Sequence, residues 1–449
     1  MIEPSDTYAE LSRWLAEAGA VLDRVTITDD PRAGRGIVAA APIAAGEPVL
    51  RIPRARVVTA EDARASAAGR ALEGAPDHSS ALVLAAWLLC EGQARVASQH
   101  RAYLASLPAS FPTDPLFFSP SELALLEGSV ALPLIHARRA ALAREHALLR
   151  DRVPAFRELS LTAFLWARLC ATTRVFGLTI AGRKTEVLVP LADMLNHHRP
   201  APTRWTWDDA ASGFVLLATE PIPAGAAVLT SYGVKSNGRL LVSYGFALAD
   251  NDADEAVVPL SIPRGASCFD LKAELLGGVA RECRFPAQHD APASRAMLSF
   301  LRVAVATRAE MDRLGPPALL DPANVAPIGP RNELAALTAL AEACEVALRR
   351  FPTSAAQDEE QLRDPAITIN ARHAILTRLG EKRVLAGHRD LAAAVRPWLA
   401  LPRHSLARAV RERAAGGGEA ARYLATYAAG IGARRRGEIA FFTRAAGGV

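Results

Sequence analysis

Apolar residues first recur at helical spacing: Leu11, Trp14, Leu15 and Ala18 share one face, and Ser5 or Asp6 can cap the helix that carries them. From Val21 to Val58 the texture changes to VTI, GIVAA, EPVLRI and RVV, short β-prone runs broken by DDPRAG and AAGE. That predicts a meander of short strands. Residues 79–150 return to helical texture through SSALVLAAWLLCEGQ, SPSELALLEGS and the Ala/Leu/Arg run from Leu132 to Arg150. LSLTAFLWARLCATTRVF, beyond Pro154, predicts a further helix. Strands resume from Lys184 to about Asp250, with turn signals at HHRPAP, ASG and PIPAG. Past Asp254 helical blocks lie near 294–313, 331–350 and 366–399, separated by polar, Pro-rich joints near 315–330 and 352–365.

Strands, then helices, then strands again do not fit the alternation of a doubly wound sheet. The order predicts an α+β chain: one β domain over residues 1–254 with a helical insert at 79–172, then a helical domain over 255–400. Length agrees, because 449 residues exceed the ~250–300 that one hydrophobic core holds. No repeat at a fixed period is visible.

Composition narrows the class. Half the residues are apolar and 22% are charged, as in soluble globular proteins. The formal charge of +5 comes from arginine, since the chain has only four lysines. It permits an acidic partner without requiring nucleic acid. Residues 401–449 form a basic tail with nine Arg against three Glu, including Arg434, Arg435 and Arg436, and a solvated surface is expected there. The five cysteines are odd in number and form no CxxC pair, so free thiols in a reducing cytoplasm are expected. The acidic, amphipathic N-terminus is no signal peptide. The longest apolar stretch, Ala81 to Cys90, is about half of a membrane span.

Three segments carry candidate chemistry. In AGRGIVAA, residues 33–40, Gly34-Arg35-Gly36 and Ala39 formally match a dinucleotide-binding GxGxx(G/A) pattern. Pro42 and the AAGE turn follow, where that motif needs a helix. A plain turn is the competing reading. In VLVPLADMLNHHRP, residues 187–200, an apolar strand runs into Asp193, Asn196, His197 and His198. Metal ligation, a nucleophile–base site and an Asn–His pair holding a polar ligand compete there with turn structure. Adjacent histidines diverge on a regular element, and no Ser or Cys sits in a sharp elbow nearby. In AGAAVLTSYGVKSNGRLLVSYGF, residues 224–246, Tyr232-Gly233 and Tyr244-Gly245 flank KSN in a stretch that reads as strand and turn. The tyrosines fit either core aromatics or phenols held rigidly in a channel.

Taken jointly and in this order around a helical insert, the segments resemble the SET-domain methyltransferases, specifically the Rubisco large-subunit lysine methyltransferase branch. GRGIVAAAPIAAGEPVLRIP looks like that family's opening segment, PLADMLNHH like its Asp–Asn–His motif, and SYGVKSNGRLLVSYGF like its terminal tyrosine motif. YLASLP at 103–108 and FFSPSELALLEGS at 117–129 are similar to its insert. The likeness covers residues 8–250 well and the helical part after 255 more weakly, where the family has a substrate-binding domain. It stops at the tail.

The resemblance implies S-adenosylmethionine (SAM) as cofactor, a protein substrate docked on the helical domain, and no metal. It implies that the backbone of Gly34, Arg35 and Gly36 cradles SAM, that Asn196 and His197 hold its two ends, and that Arg174 pairs with its carboxylate. Asp193 would sit by the substrate channel or brace the loop, Tyr232 would be catalytic, and Tyr244 would line the channel. Relatives of the branch methylate a histidine of actin and carry Asn and Trp at two pocket positions. Those positions correspond here to Phe176 and Ala192, residues that the lysine enzymes carry. With Tyr244 present as well, lysine is the expected acceptor and histidine the alternative. Two departures bear on the substrate: Ala33 replaces a family glutamate, and Leu178 stands at a channel arginine. The rival classes are a SET-derived binding module without catalysis, against which Tyr232 and Arg174 speak, and a zinc or nucleic-acid protein.

Overall fold

A segment whose apolar residues alternate settles as a strand, and one greasy all round settles as a buried helix. Both occur in the computed structural model, which describes residues 4–30, 34–75, 78–94, 97–286, 292–314, 321–402, 405, 408 and 418–446. Two compact units emerge, each discontinuous or extended in sequence: Met1–Phe117 with Ile135–Val234, and Phe118–Leu134 with Lys235–Val449.

The first unit contains ten strands among the described residues: β1 (Val25–Asp30), β2 (Gly34–Ala39), β3 (Pro48–Pro53), β4 (Val58–Thr59), β5 (Val175–Ile180), β6 (Arg183–Leu188), β7 (Asn196–His197), β8 (Thr203–Asp208), β9 (Gly213–Ala218) and β10 (Leu229–Thr230). They make small sheets. β1 and β2 form an antiparallel hairpin, β3-β9-β8 and β4-β6-β5 form three-stranded sheets, and β7 pairs with β10 in parallel. The GRG segment is therefore strand from its first residue, with Gly34 opposite Asp30 and Gly36 opposite Thr28. No helix starts within it, which removes the dinucleotide-binding alternative.

The expected insert is present as the helices Ser80–Ala94, Arg101–Ser106, Pro120–Ala124, Ala131–Arg152 and Leu161–Thr173. In Ser80–Ala94 every residue from Leu82 to Leu89 is buried, and the helix packs against Leu161–Thr173. The N-terminal helix starts at Pro4, so Asp6 falls in its first turn instead of capping it. Leu11 and Leu15 reach the core that Ile37, Leu50, Leu188 and Phe214 also share.

In the second unit the helices Pro292–Ala304, Arg308–Leu314, Pro330–Leu348 and Ile369–Leu399 match the expected blocks, and the short helix Ala355–Gln361 fills the second joint. Residues 315–320 of the first joint lie outside the described residues. An antiparallel pair, β11 (Glu255–Ser261) with β12 (Ala280–Pro286), stands within the region expected to be all helical. Its alternating burial, with Ala256, Val258 and Leu260 inside, is the period-2 signal that the surrounding helices masked.

SNGRLLVSY departs from the strand-and-turn expectation, because Asn237–Tyr244 is a helix. Leu240 and Leu241 bury one face, Asp254 accepts from the Asn237 backbone N–H at 2.7 Å, and Gly245 ends it at φ +79°. Glycine and β-branched residues in and around a helix of only about two turns give the stretch its strand texture.

Segment 118–134 is tied into this unit by polar contacts. Ser129 Oγ donates to Glu381 at 2.8 Å, Arg378 Nη1 to the Leu125 carbonyl at 2.8 Å, and Asn370 Nδ2 to Glu122 at 2.8 Å. Of the tail, residues 419–446 form a helix. Residues 403–404, 406–407 and 409–417 lie outside the described residues, as do the side chains of Arg434, Arg435 and Arg436, so the expected solvated surface falls outside the description.

Two buried carboxyls make this unit sensitive to pH. Burial pushes Glu381 up to about 8 and Asp254 up to about 7, against the pull of their hydrogen-bond donors. A carboxyl raised on folding contributes full stability below its unfolded pKa of about 4 and loses it as pH climbs through the folded value. Stability of the unit should therefore fall by a few kcal/mol between about pH 4 and 8. Glu381→Gln, which keeps an acceptor for Ser129, should flatten that slope in urea denaturation at a series of pH values. Equal slopes for both proteins would contradict it.

Candidate active site

Arg174 ends the helix Leu161–Thr173 and opens onto β5, which fixes its guanidinium beside the loop between β6 and β7. Its Nη1 donates to the Asp193 carbonyl oxygen at 2.9 Å and lies 3.6 Å from the Asp193 carboxylate. That loop bends at Leu191, a non-glycine residue at φ +68°, before the turn Ala192–Met194. Such a conformation costs about 1 kcal/mol or more and persists where the surroundings impose it. Here Leu191, Ala192, Met194 and Leu195 are all buried.

Asp193 also accepts from the Tyr103 hydroxyl at 2.9 Å. Burial raises the Asp193 carboxyl, while Arg174, Arg35 and Tyr103 oppose the rise. Tyr103 is raised well above an ordinary phenol by burial and by the Asp193 charge. Cys170, in the same electrostatic neighbourhood, is pushed up to about 12 and stays a thiol.

The parallel pairing of β7 with β10 brings the next two groups together, Leu229 lying opposite Asn196 and Thr230 opposite His197. Asn196 Nδ2 donates to the Arg35 carbonyl at 3.2 Å. A Cβ on Gly36 would stand 3.0 Å from that nitrogen, so glycine keeps the approach open. His197 Nδ1 accepts from the Tyr232 backbone N–H at 3.0 Å, and the two rings stack with centroids 5.1 Å apart. The Tyr232 hydroxyl donates to the Leu195 carbonyl at 2.8 Å, which holds the phenol rigid. His198 turns to the Pro200 carbonyl instead, so the neighbouring histidines take different partners. Among the described residues no three His, Cys, Asp or Glu side chains gather as metal ligands.

Gly34, Arg35, Gly36, Arg174, Ala192, Asp193, Asn196, His197 and Tyr232 all lie in the first unit, where Arg174 meets Asp193, Asn196 meets Arg35 and Gly36, and His197 meets Tyr232. Phe176 sits two residues past Arg174, buried and edge-packed on Trp205 at 5.6 Å and Phe214 at 5.0 Å. Leu178 is buried on the same strand. Ala33 lies outside the described residues. Tyr244 belongs to the second unit, where Lys235 Nζ stands 5.7 Å from its ring centre and burial raises its phenol. Tyr103 lies in the insert segment YLASLP, whose sequence assigns it no role. Its signal was a tyrosine inside a helical stretch, which says nothing of a partner 90 residues away.

The five cysteines are free, three of them buried and two half-buried. No described helix is long and apolar enough to cross a membrane.

Two protein families match the chain: the SET domain over residues 34–233, and the Rubisco LSMT substrate-binding domain over residues 263–385. Among curated proteins, the actin-histidine N-methyltransferase of Mus musculus is 27% identical over 408 residues, covering 85% of this chain and 67% of that protein. The Danio rerio protein of that name is 29% identical over the same shares. Among solved structures, the SET domain of LSMT bound to lysine and AdoHcy aligns with a TM-score of 0.71 at 22% identity, over 89% of this chain and 93% of that one. Rubisco LSMT bound to AdoMet aligns with a TM-score of 0.70 at 22% identity, over 88% and 93%.

Proposed function

Because the chain belongs to the SET-domain family and carries a Rubisco LSMT-type substrate-binding region, we propose that it is a SAM-dependent protein methyltransferase whose acceptor is a lysine amine. The observation that carries the reading is the Tyr232–His197–Asn196–Arg35 chain of contacts. It fixes a phenol beside a backbone cradle in one half-buried cluster.

The residues fit the cofactor. Gly36 leaves open a space that a Cβ would crowd, and Arg174 Nε and Asp193 Oδ1 are buried with no hydrogen-bond partner among the described residues. One open donor and one open acceptor suit the zwitterionic end of an amino acid. Gly34, Arg35 and Gly36 would hold SAM through the backbone, Asn196 and His197 would hold its two ends, and Arg174 would pair with its carboxylate. When bound, SAM supplies a sulfonium methyl open to in-line attack by an uncharged nitrogen.

A free lysine has a pKa of about 10.4, so the site must favour the neutral amine by desolvating it. Phe176 and Ala192 contribute apolar surface for this. The Tyr232 hydroxyl, already held by a carbonyl, orients the nitrogen and stabilises the charge that develops on it. Asp193 braces the loop that presents these groups. We assign residues 1–254 to the catalytic domain, 255–400 to docking of the protein substrate, and the cytoplasm as the place of action.

Histidine is the second reading, favoured by the curated relatives, which are named for methylating a histidine of actin. Incubation with methyl-labelled SAM and cell extract, followed by mass spectrometry of the labelled residue, separates the two. Label on lysine is expected. Label on histidine would move the acceptor assignment and keep the enzyme class, whereas SAM bound without transfer would mark a binding module.

A further inference from the structure

The insert helix Arg101–Ser106 bonds to two segments assigned to the cofactor, strand β2 and the loop between β6 and β7. On one side the Arg35 guanidinium donates to the Ser106 carbonyl. On the other, the Tyr103 hydroxyl donates to Asp193. Ser106 Oγ closes the turn by donating to the Tyr103 carbonyl at 2.7 Å. Residues 35, 103–106, 174 and 193 thereby form one buried polar network across about 160 residues of sequence, with the fully buried Tyr103 at its centre.

The chemistry of the pair limits what Tyr103 can be doing. A buried phenol needs a hydrogen-bond partner, and the partner taken shows what the hydroxyl can hold in place. This one faces a buried carboxylate whose second oxygen, Asp193 Oδ1, is unpartnered, and whose other neighbour, Arg174, has an unpartnered Nε. Arg174 is held by that carboxylate and by the Asp193 carbonyl, so whatever turns Asp193 turns Arg174 as well.

We propose that Tyr103 is a positioning residue: its hydroxyl orients the Asp193 carboxylate, and through it the Arg174 guanidinium, for binding the charged amino-acid end of the cofactor. The inference rests on the SAM reading above. It gives the helical insert a part in cofactor affinity. The groups that face Asp193 are Tyr103 from the insert helix, Arg174 from the end of the helix Leu161–Thr173, and Arg35 from β2. Cys170 lies nearby as a thiol. Removing the phenol takes away one of the influences that keep Asp193 charged, so the effect on cofactor binding must grow as pH falls.

The test is calorimetric titration of SAM into the full-length protein and its Tyr103→Phe variant at pH 6, 7 and 8. The variant should bind about tenfold more weakly at pH 7, with a wider gap at pH 6 and a narrower one at pH 8. Turnover at saturating SAM should change less than threefold, so the loss appears in KM for SAM and not in kcat. Asp193→Asn, which keeps an acceptor for the phenol but no charge, should bind weakly with no such pH dependence. Equal SAM affinity of Tyr103→Phe and wild type across the range would overturn the inference while leaving the SAM reading intact. So would a uniform loss with no pH dependence, which a general loosening of the fold produces. A wild-type protein that does not bind SAM would overturn both.

Discussion

Tyr232→Phe is expected to lower turnover by about 10²–10³-fold while leaving SAM affinity within a few fold of wild type. The phenol ring, not its hydroxyl, stacks on His197, and the contact to His197 Nδ1 comes from the Tyr232 backbone, so both survive the substitution. What is lost is the hydroxyl that the Leu195 carbonyl holds in place. An oriented donor or acceptor at a reacting nitrogen acts mostly on the transition state, and its removal therefore appears in kcat. Single-turnover methyl transfer with SAM in excess, alongside a binding titration, separates the two quantities. A variant with near-normal turnover would remove Tyr232 from the chemistry, and one that no longer bound SAM would assign the residue to the cofactor site instead.

The largest loss of stability is expected in the second unit, at Asp358. Its carboxylate is fully buried and takes Arg378 at 2.7 Å on one oxygen and Lys382 at 2.5 Å on the other, both of those side chains being only 2% exposed. Thr353 also donates to it at 2.7 Å. Asp358→Ala would strand two cations away from water, which costs about 3–5 kcal/mol, a large fraction of a domain's stability. Urea denaturation followed by a probe in this unit should show it. Replacing Asp358, Arg378 and Lys382 together with apolar residues of similar size should recover much of the loss, because the penalty belongs to the unpaired charges. A single variant as stable as wild type would mean that water reaches the cluster.

Much of the fold was legible because its signals are local. Short β-prone runs such as GIVAA and EPVLRI, broken by turn residues, mark strands, and the unbroken run Leu82–Leu89 marks a helix buried on all sides. Asn237–Tyr244 lacks that legibility, because a helix of about two turns offers too few apolar repeats to outweigh Gly238 and the YG dipeptides on either side. β11 was hidden among helices for the converse reason. The site residues were found as motifs, each short and weak alone, whose joint order carried the resemblance. What the motifs could not convey is who touches whom. That Arg174 answers to Asp193, and Asp193 to Tyr103, depends on contacts spanning 19 and 90 residues, and no local period encodes them.

The placement of residues 118–134 has a consequence for anyone dividing this protein. The second unit does not begin where the first one ends, because a stretch from inside the earlier half belongs to it. A fragment starting at residue 235 would lack Ser129, leaving Glu381 without its hydroxyl donor, and would lack the Leu125 carbonyl that receives Arg378. A fragment ending at residue 234 would carry Glu122, Leu125 and Ser129 without their partners Asn370, Arg378 and Glu381. Neither gene half is a self-sufficient piece. Limited proteolysis between residues 234 and 235 would nick the chain without releasing a separable substrate-docking module, and exchange of that module between relatives would have to move two separate stretches of coding sequence at once.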